Sequence, residues 1–397
     1  MISVEKAKKL ILKNTAALNS AIISLDNSLG SVAAGNIVSP IDLPLFDQSA
    51  MDGFALVFSD YVNRNIIKIV GEVAAGNTFN GRLSPGQAVR IFTGAPLPAE
   101  ADTVVMQEKA VVENNNLIIN DPSLNYSANV RKAGSQIKQG KTALPKGTII
   151  TPGGIGYLAA MGVTSVNVIP SPKIIVIVTG SELKKPGKSL IKGEIYESNS
   201  YTLQAALQSI GVKVHNITSI RDSRSKTPMV LRKAIKESDL VLITGGISVG
   251  KYDFVGSALT QLSVKNIFYK INQKPGKPLF FGKNGNTLIF GLPGNPAAVL
   301  SCFYEYVYPA INIMRGKKDI FLKKSQLPIA TNYPKKQGLA CFLKGRISEN
   351  SVVPLEGQES YILSSFASAD CLIYLPADRE SIQKGEMVEV HLLPGLY

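Results

Sequence analysis

The sequence feature that most constrains the fold is a regular alternation of apolar runs and helix-like segments between Lys173 and Met314. Near-continuous runs of Ile, Val and Leu separated by helices are typical of a parallel sheet with helices on both faces. Strands are predicted at residues 174–178, 214–220, 240–244 and 287–290. Helices are predicted at residues 200–210, 228–236, 254–262 and 295–314.

Shorter apolar runs bounded by turn residues lie on both sides of this region and predict β structure. These runs cover residues 66–73, 88–92, 103–106, 117–119, 340–343, 352–354, 371–375 and 388–392. An amphipathic helix is predicted at residues 3–18, and another after Thr151, which would cap it with Pro152 in the first turn. The predicted fold class is α/β plus β, with a central parallel-sheet α/β domain, helical and β-rich N-terminal domains and a small C-terminal β domain.

Composition excludes several classes of protein. Hydrophobic residues at 45% and charged residues at 18% of the 397 residues exclude wholesale disorder. No run approaches the ~20 apolar residues of a membrane span, and lysines interrupt any signal-peptide core near the N-terminus. A cytoplasmic protein without a membrane partner is therefore expected. Three Cys and two His residues do not support a disulfide framework, a zinc site or histidine catalysis. A catalytic metal would then have oxygen ligands, which favours Mg²⁺.

The positive charge is concentrated in the central part of the chain. Residues 167–315 carry 19 Lys or Arg against 8 Asp or Glu, whereas the whole chain has a net charge of +14. This imbalance favours an anionic ligand, although a solvated basic surface is an open alternative. Nucleic acid is not expected, because basic runs interleaved with aromatic residues, zinc fingers and RNP patterns are absent from the sequence. A small polyanionic ligand would also account for the positive charge of residues 167–315.

Polar or glycine-rich residues follow each of the four predicted strands. Ligands of open parallel sheets bind beyond the carboxyl ends of the strands. The four exits contain Thr179-Gly180-Ser181-Glu182, Arg221-Asp222, residues 245–250 followed by Asp253, and residues 291–296. Glycines there allow backbone N–H groups to approach an anion, and a helix starting near Asn295 adds a positive dipole end. Glu182, Asp222 and Asp253 are candidate oxygen ligands for Mg²⁺.

Two ammonium groups are fixed on a stiff turn between the third and fourth predicted strands, in the segment Lys274-Pro275-Gly276-Lys277-Pro278. This arrangement suits a phosphate-like oxyanion.

Two segments resemble nucleotide-binding motifs but do not match them. Residues 134–142 have five residues between the glycines of a P-loop instead of four, and the Gly245-Gly246 pair departs from the G-x-G-x-x-G dinucleotide pattern. ATPase and NAD-dependent dehydrogenase functions are therefore not favoured.

Taken together, these motifs closely resemble the molybdopterin molybdenumtransferases, the family that includes the gephyrin E domain. The resemblance covers essentially the whole chain and rests on residues 48–55, 91–98, 129–131, 245–250, 274–278 and 291–296. It implies four domains: residues 1–40 with 130–168 as a discontinuous helical domain, 41–129 as an inserted β-rich domain, 169–315 as the α/β molybdopterin-binding domain, and 316–397 as the C-terminal β domain.

The resemblance also implies an activity. Family members bind adenylylated molybdopterin and molybdate, cleave the phosphoanhydride with a divalent cation, insert molybdenum at the dithiolene and release AMP. They form homodimers in which the loops of Asp52 and Thr93 would face the α/β domain of the partner subunit. The expected cofactor is Mg²⁺, and the expected partners are the two substrates and a second copy of the chain.

Residue roles follow from the same resemblance. Asp52, Asp222 and Asp253 match acidic positions that act on the cation and the phosphoanhydride, and Lys274 and Lys277 match a lysine pair at the oxyanion site. The remaining substrate-binding candidates lie in the matching loops: Thr93, Gly245, Gly246, Ser248, Pro293, Gly294, Asn295, Ser364 and Ser365.

The chain departs from the family pattern at several positions. Many relatives have an acidic residue in place of Gln136, and often Asp in place of Ser181, Glu197 and Lys251, while Ala298 replaces a common serine. The changes at Gln136, Ser181 and Lys251 remove carboxylates near the expected cation, whereas Glu197 keeps its charge and is the mildest change. Two alternatives therefore stay open: a molybdopterin-binding scaffold of the same fold with weakened catalysis, or a molybdopterin adenylyltransferase. The second would not need residues 1–166 or 316–397.

Overall fold

A computed structural model describes residues 1–64, 66–246 and 254–395 of the chain. The chain forms two compact units. The large unit comprises Met1–Ala21, Gly30–Val32 and Ile169–Tyr397, and the small unit comprises Ile22–Leu29 and Ala33–Val168. The division into four domains stays a prediction.

The centre of the large unit is a six-stranded sheet in which four strands are parallel, as predicted. The strand order is Val214–Ile220, Ile174–Thr179, Leu240–Thr244, Thr287–Leu292, Phe280–Asn284 and Lys265–Tyr269. The last two strands are antiparallel to their neighbours and were not predicted. They lie at one edge of the sheet and include polar residues, so they lack the continuous apolar run of a central parallel strand.

Helices cover both faces of this sheet. They are Val4–Asn14, Asn199–Ser209, Lys226–Glu237, Phe254–Gln261, and Pro296–Cys302 continuing through the π-helical turn Phe303–Val307 into Tyr308–Met314. Alternate residues of each strand belong to different hydrophobic clusters: Val176 packs into one and Ile177 into the other. The predicted helix at residues 3–18 is shorter in the structure, because Thr15 has extended backbone angles.

A second sheet of the large unit is built mainly from the C-terminal segment. Its strand order is Gln273–Lys274, Ala340–Ser348, Cys371–Leu375, Met387–Leu392 and Lys324–Pro328, with Ser351–Pro354 paired to the second strand. Gln273 and Lys274 pair in parallel with Ala340 and Cys341. The start of the lysine turn is therefore hydrogen-bonded to the C-terminal β structure.

The small unit is mostly β structure, as the short apolar runs predicted. Its six-stranded sheet has the order Thr103–Met106, Gly53–Leu56, Gln87–Ile91, Ile67–Val73, Asn116–Ile119 and Ala110–Glu113. The predicted helix after Thr151 is confirmed as Pro152–Ala160, with the Gly154 N–H donating to the Thr151 hydroxyl at 3.1 Å. Among the described residues of the chain, no helix is both long and apolar enough to cross a membrane.

A buried carboxylate connects three parts of the large unit. Glu305 is 2% exposed and accepts from Lys8 Nζ at 2.5 Å, while its other oxygen lies 2.6 Å from His391 Nδ1. The second ring nitrogen of His391 lies 2.7 Å from Glu389, which also pairs with Lys324 at 2.8 Å. Burial acts to raise the pKa of Glu305, but Lys8 and His391 outweigh it and hold the pKa below its ordinary value. The N-terminal helix, the π-helical turn and the C-terminal sheet are thus joined by one ionic network.

We predict that Glu305→Gln lowers the free energy of unfolding by about 3–5 kcal/mol near pH 7, because Lys8 and His391 lose a buried partner. The folded-state pKa of Glu305 is depressed, so its stabilisation is present above the unfolded-state pKa near 4.5 and is lost as the pH falls through the folded value. Urea unfolding of both proteins from neutral to acidic pH should show the difference shrinking.

Glu72→Gln is the matched control, since Glu72 pairs with Arg90 on the surface at 3.8 Å and should contribute little. A difference between wild type and Glu305→Gln that stays constant into acid would contradict the assignment.

Candidate active site

The carboxyl ends of the four parallel strands lie side by side at one edge of the central sheet. Thr179 pairs with Ile220, Val178 with Thr244, and Thr244 with Leu292. The predicted exit residues Gly180, Glu182, Asp222, Gly245, Gly246, Pro293, Gly294 and Asn295 therefore follow neighbouring strand ends. Ser248, Lys251 and Asp253 lie outside the described residues.

Glycine is required at the third exit because the backbones are in close contact there. Gly245 and Gly246 have φ values of +80° and +62°. A Cβ on Gly245 would lie 2.3 Å from the Thr179 carbonyl oxygen, and one on Gly246 would lie 2.5 Å from Thr179 Oγ1. A side chain at either position would thus be both strained and overlapped. This loop exposes backbone at the sheet edge where a ligand of an open parallel sheet is expected.

The third and fourth exits are in contact with each other and with a helix start. A Cβ on Gly294 would lie 4.0 Å from Gly245 Cα. Asn199, at the start of Asn199–Ser209, donates its side-chain amide to the Gly294 carbonyl at 2.8 Å. The Asn199 side-chain oxygen is buried and has no hydrogen-bond partner among the described residues. The glycine turn of residues 291–296 is therefore held in place from two sides.

The second exit presents a carboxylate. The Asp222 backbone N–H donates to Ser181 Oγ at 3.3 Å, so the first and second exits are also connected. The Asp222 side chain is exposed, and within the described residues its carboxylate has no hydrogen-bond or ion-pair partner. The Ser181 hydroxyl therefore supports the Asp222 backbone.

Glu197, another departure from the family, has a structural task. Its carboxylate accepts from the Ser200 N–H at 2.7 Å and from the Ser200 hydroxyl at 2.5 Å, and it is 8% exposed. It also lines a cavity of about 400 Å³ together with Lys184, Lys185, Tyr201 and Gln204. Val178 and Ser219, from the first two strands, form another part of the same wall. A cavity lined by two lysines thus adjoins the first two exits, and Lys184, one of the two, is paired with Glu194 at 2.9 Å.

The donor atoms suit a hard cation in kind. Glu182 and Asp222 both offer carboxylate oxygens, and oxygen ligands are what Mg²⁺ prefers. Within residues 1–64, 66–246 and 254–395, no group of three or more His, Cys, Asp or Glu side chains is close enough to hold a metal ion. The third predicted ligand, Asp253, lies outside these ranges, so the complete ligand set stays a prediction.

The lysine turn projects two exposed side chains from a buried base. Lys274 and Lys277 are exposed, whereas Pro275 and Gly276 between them are buried. Lys274 lines a cleft of about 280 Å³ that also contains Lys335, Lys336, Cys341 and Gln358. Three lysines therefore line this cleft, more than the sequence predicted, and the ammonium group of Lys335 donates to the Arg379 carbonyl at 2.6 Å.

The serine segment caps the helix that follows the fourth exit. The Ser360 carbonyl accepts from the N–H groups of Ala297 and Ala298 at 3.1 and 3.2 Å, and the Ser360 hydroxyl accepts from the Asn295 side chain at 2.7 Å. The helix N-terminus that was expected to attract an anion is thus already occupied by a protein carbonyl. The predicted candidates differ: Ser365 is buried and donates to the Gly357 carbonyl at 3.0 Å, whereas Ser364 is exposed.

Lys344 holds this segment in place and was missed from the sequence. The residue is 2% exposed, and its ammonium group donates to the carbonyls of Gly357 and Ile362 at 2.5 and 3.0 Å. Burial lowers the pKa of Lys344. The sequence does contain one signal of this role, because Lys344 is a single lysine that directly follows the apolar run beginning at Ala340. Gln358 completes the support, because it exchanges hydrogen bonds with the Lys344 backbone.

In the small unit, the structure brings Asp52 and Thr93 together. Both the backbone N–H and the hydroxyl of Thr93 donate to Asp52 Oδ1, at 2.8 and 2.7 Å. These hydrogen bonds, the backbone one first, lower the pKa of Asp52. The carboxylate is therefore oriented by a neighbouring loop. That both loops face a partner subunit stays a prediction.

Comparisons with known proteins confirm the resemblance. The chain matches three family models: the MoeA N-terminal region (domain I and II) over residues 2–162, a probable molybdopterin binding domain over residues 175–312, and the MoeA C-terminal region (domain IV) over residues 326–393. A molybdopterin molybdenumtransferase of Haemophilus influenzae is 33% identical over 99% of this chain and 100% of its own length.

Solved structures agree with these matches. Two crystal structures of a molybdopterin biosynthesis MoeA protein from Pyrococcus horikoshii have TM-scores of 0.83 and 0.78, with 30% and 28% sequence identity. They cover 100% and 99% of this chain and 100% of their own chains. This chain therefore belongs to the molybdopterin molybdenumtransferase family of enzymes.

Proposed function

We propose that this enzyme inserts molybdenum from molybdate into adenylylated molybdopterin and releases AMP in a step that depends on a divalent cation. The proposal rests on the four polar strand exits, which lie together at one edge of the sheet. At this edge the Asp222 carboxylate has no partner among the described residues, and Gly245 and Gly246 expose backbone. A polyanionic substrate can be bound there by N–H groups, while a carboxylate and a cation act on its phosphoanhydride. Family membership supports the reaction class.

The binding residues divide into two groups in this proposal. Gly245, Gly246, Pro293, Gly294 and Asn295 follow strand ends at this edge and bind the adenylylated molybdopterin. Ser248, which lies outside the described residues, is proposed to contribute to the same binding. Lys274 and Lys277 bind the molybdate oxyanion, because two ammonium groups on one turn can share its charge. Ser364 and Ser365 contribute from the serine segment, where Ser360 already contacts Asn295.

Mg²⁺ is the proposed cation, held by Glu182, Asp222 and Asp253. When bound, it would neutralise charge on the phosphate that leaves as AMP. The exposed Asp222 carboxylate fits this role, since no Lys or Arg among the described residues forms an ion pair with it. Ser181 fixes the backbone from which this carboxylate projects.

We further propose that the enzyme is a homodimer in the cytoplasm. In this arrangement Asp52 and Thr93 of one subunit complete the site on the α/β domain of the other. The three cysteines of the chain are free thiols, which suits a reducing compartment.

Asp222→Asn should reduce the rate of AMP release by about two orders of magnitude at saturating Mg²⁺, because the carboxylate holds the cation that neutralises the leaving phosphate. Binding of adenylylated molybdopterin should be retained or tightened, since a negative charge near a polyanion is removed. AMP release and equilibrium substrate binding are measured on the same preparation. Asp319→Asn, which changes an exposed carboxylate without a described partner, is the control. Near-normal turnover of Asp222→Asn would exclude the proposed role.

The shared site is tested by mixing two inactive variants. Equal amounts of Asp52→Asn and Asp222→Asn, allowed to exchange subunits, should recover about a quarter of wild-type activity: half of the dimers are hybrid, and each has one intact site. Asp52→Asn mixed with Thr93→Ala is the control. Both substitutions lie in the small unit, so each site of a hybrid dimer would contain one of them and no site would be intact. Recovery absent from the first mixture would show that each site is built from a single chain.

A further inference from the structure

The lysine turn is attached to the interior of the large unit through one buried side chain. Gln273, immediately before Lys274, is 1% exposed. Its Nε2 donates to the Pro275 carbonyl at 2.9 Å, and its Oε1 accepts a hydrogen bond from the Tyr306 hydroxyl. Tyr306 is fully buried, so the turn is joined to the long helix by a continuous polar link that solvent does not reach.

Steric contacts fix the same turn from a second direction. Gly276 has φ +89°, and a Cβ at this position would lie 2.3 Å from Cys302 Sγ. The thiol also approaches the Gly276 carbonyl at 3.7 Å. On the other side, the Ile271 N–H donates to the Lys277 carbonyl at 2.9 Å, which closes the turn. The backbone between the two lysines therefore has little freedom to shift.

Tyr306 lies in the π-helical turn, next to the residue that organises the ionic network. Within Phe303–Val307, Glu305 contacts Lys8 and His391, whereas Tyr306 contacts Gln273. Single π-helical turns inside α-helices are frequent at functional sites. Here the turn holds two adjacent polar side chains, one bound to the ionic network and one bound to the base of the lysine turn.

We propose that Gln273 and Tyr306 are positioning residues for the oxyanion site, and that they act by fixing the turn from which Lys274 and Lys277 project. This inference rests on the proposed function of the two lysines. Exposed lysine side chains are flexible, so two of them converge on one anion only if their backbone positions are held. The hydrogen bond from Tyr306 to Gln273, and from Gln273 to Pro275, provides that restraint without touching the anion.

The test uses Tyr306→Phe, which removes one hydroxyl group and keeps the ring. Equilibrium binding of inorganic molybdate should weaken by about fivefold, the effect of losing one hydrogen bond. In steady-state AMP release, the KM for molybdate should rise by a similar factor while kcat at saturating molybdate is retained. Tyr304→Phe is the matched control: Tyr304 is buried in the same helical turn, and its hydroxyl has no hydrogen bond within the described residues.

A double-mutant cycle with Lys277→Ala separates positioning from a general structural effect. If Tyr306 acts through the lysine turn, Tyr306→Phe should weaken molybdate binding in the wild-type background and have little further effect in the Lys277→Ala background. Additive losses, or an equal loss in Tyr304→Phe, would overturn the positioning role.

The same cycle distinguishes failure of this inference from failure of the proposed function. Wild-type molybdate affinity in Lys277→Ala would overturn the oxyanion site itself, and with it the inference. Weakened binding in Lys277→Ala together with unchanged binding in Tyr306→Phe would leave the site standing and reject only Gln273 and Tyr306 as its positioning residues.

Discussion

The parallel pairing of four central strands is the constraint on which the candidate site depends. Strands that run in the same direction send all their chain exits to one edge of the sheet, so loops far apart in sequence become neighbours. At that edge the Thr179 backbone and Gly245 are so close that a Cβ would overlap. The glycines at positions 245 and 246 follow from this crowding, and both residues are half-buried at the edge.

The long helix after the fourth exit connects this sheet edge to other parts of the large unit. Ser360 caps its N-terminus, and Glu305 and Tyr306 in its π-helical turn bind the ionic network and the lysine turn. At its C-terminus, the buried Arg315 donates to the carbonyls of Ile210 and Gly30 at 2.8 and 3.0 Å. One helix thus connects the glycine turn, the proposed oxyanion site and the C-terminal sheet.

The sequence predicted those parts of the fold that local patterns determine. Apolar runs located the four parallel strands, and Thr151 followed by Pro152 marked a helix start. The antiparallel edge strands were missed because edge strands lack a continuous apolar run. The Gly285-Asn286 turn, which joins Phe280–Asn284 to Thr287–Leu292, is nevertheless a recognised hairpin signal. The length of the first helix was overestimated because periodicity continued past Thr15.

Side-chain roles that depend on distant partners could not be predicted in the same way. The burial of Lys344, the capping by Ser360 and the link from Tyr306 to Gln273 each join residues more than ten positions apart. Asp222 could be selected because it follows a strand directly, and Ser181 was noted only as a departure from the family. The hydrogen bond between the Ser181 hydroxyl and the Asp222 backbone is a tertiary contact, which only the folded structure shows.

In the proposed function, the four strand exits bind adenylylated molybdopterin and support its cleavage during molybdenum insertion. The most direct measurement mixes the purified protein with adenylylated molybdopterin, molybdate and Mg²⁺ and follows AMP release together with molybdenum bound to the product. We expect one AMP to be released for each molybdenum inserted, and we expect this release to require Mg²⁺. Tight binding of the substrate without AMP release would contradict the account and identify the protein as a scaffold of the same fold.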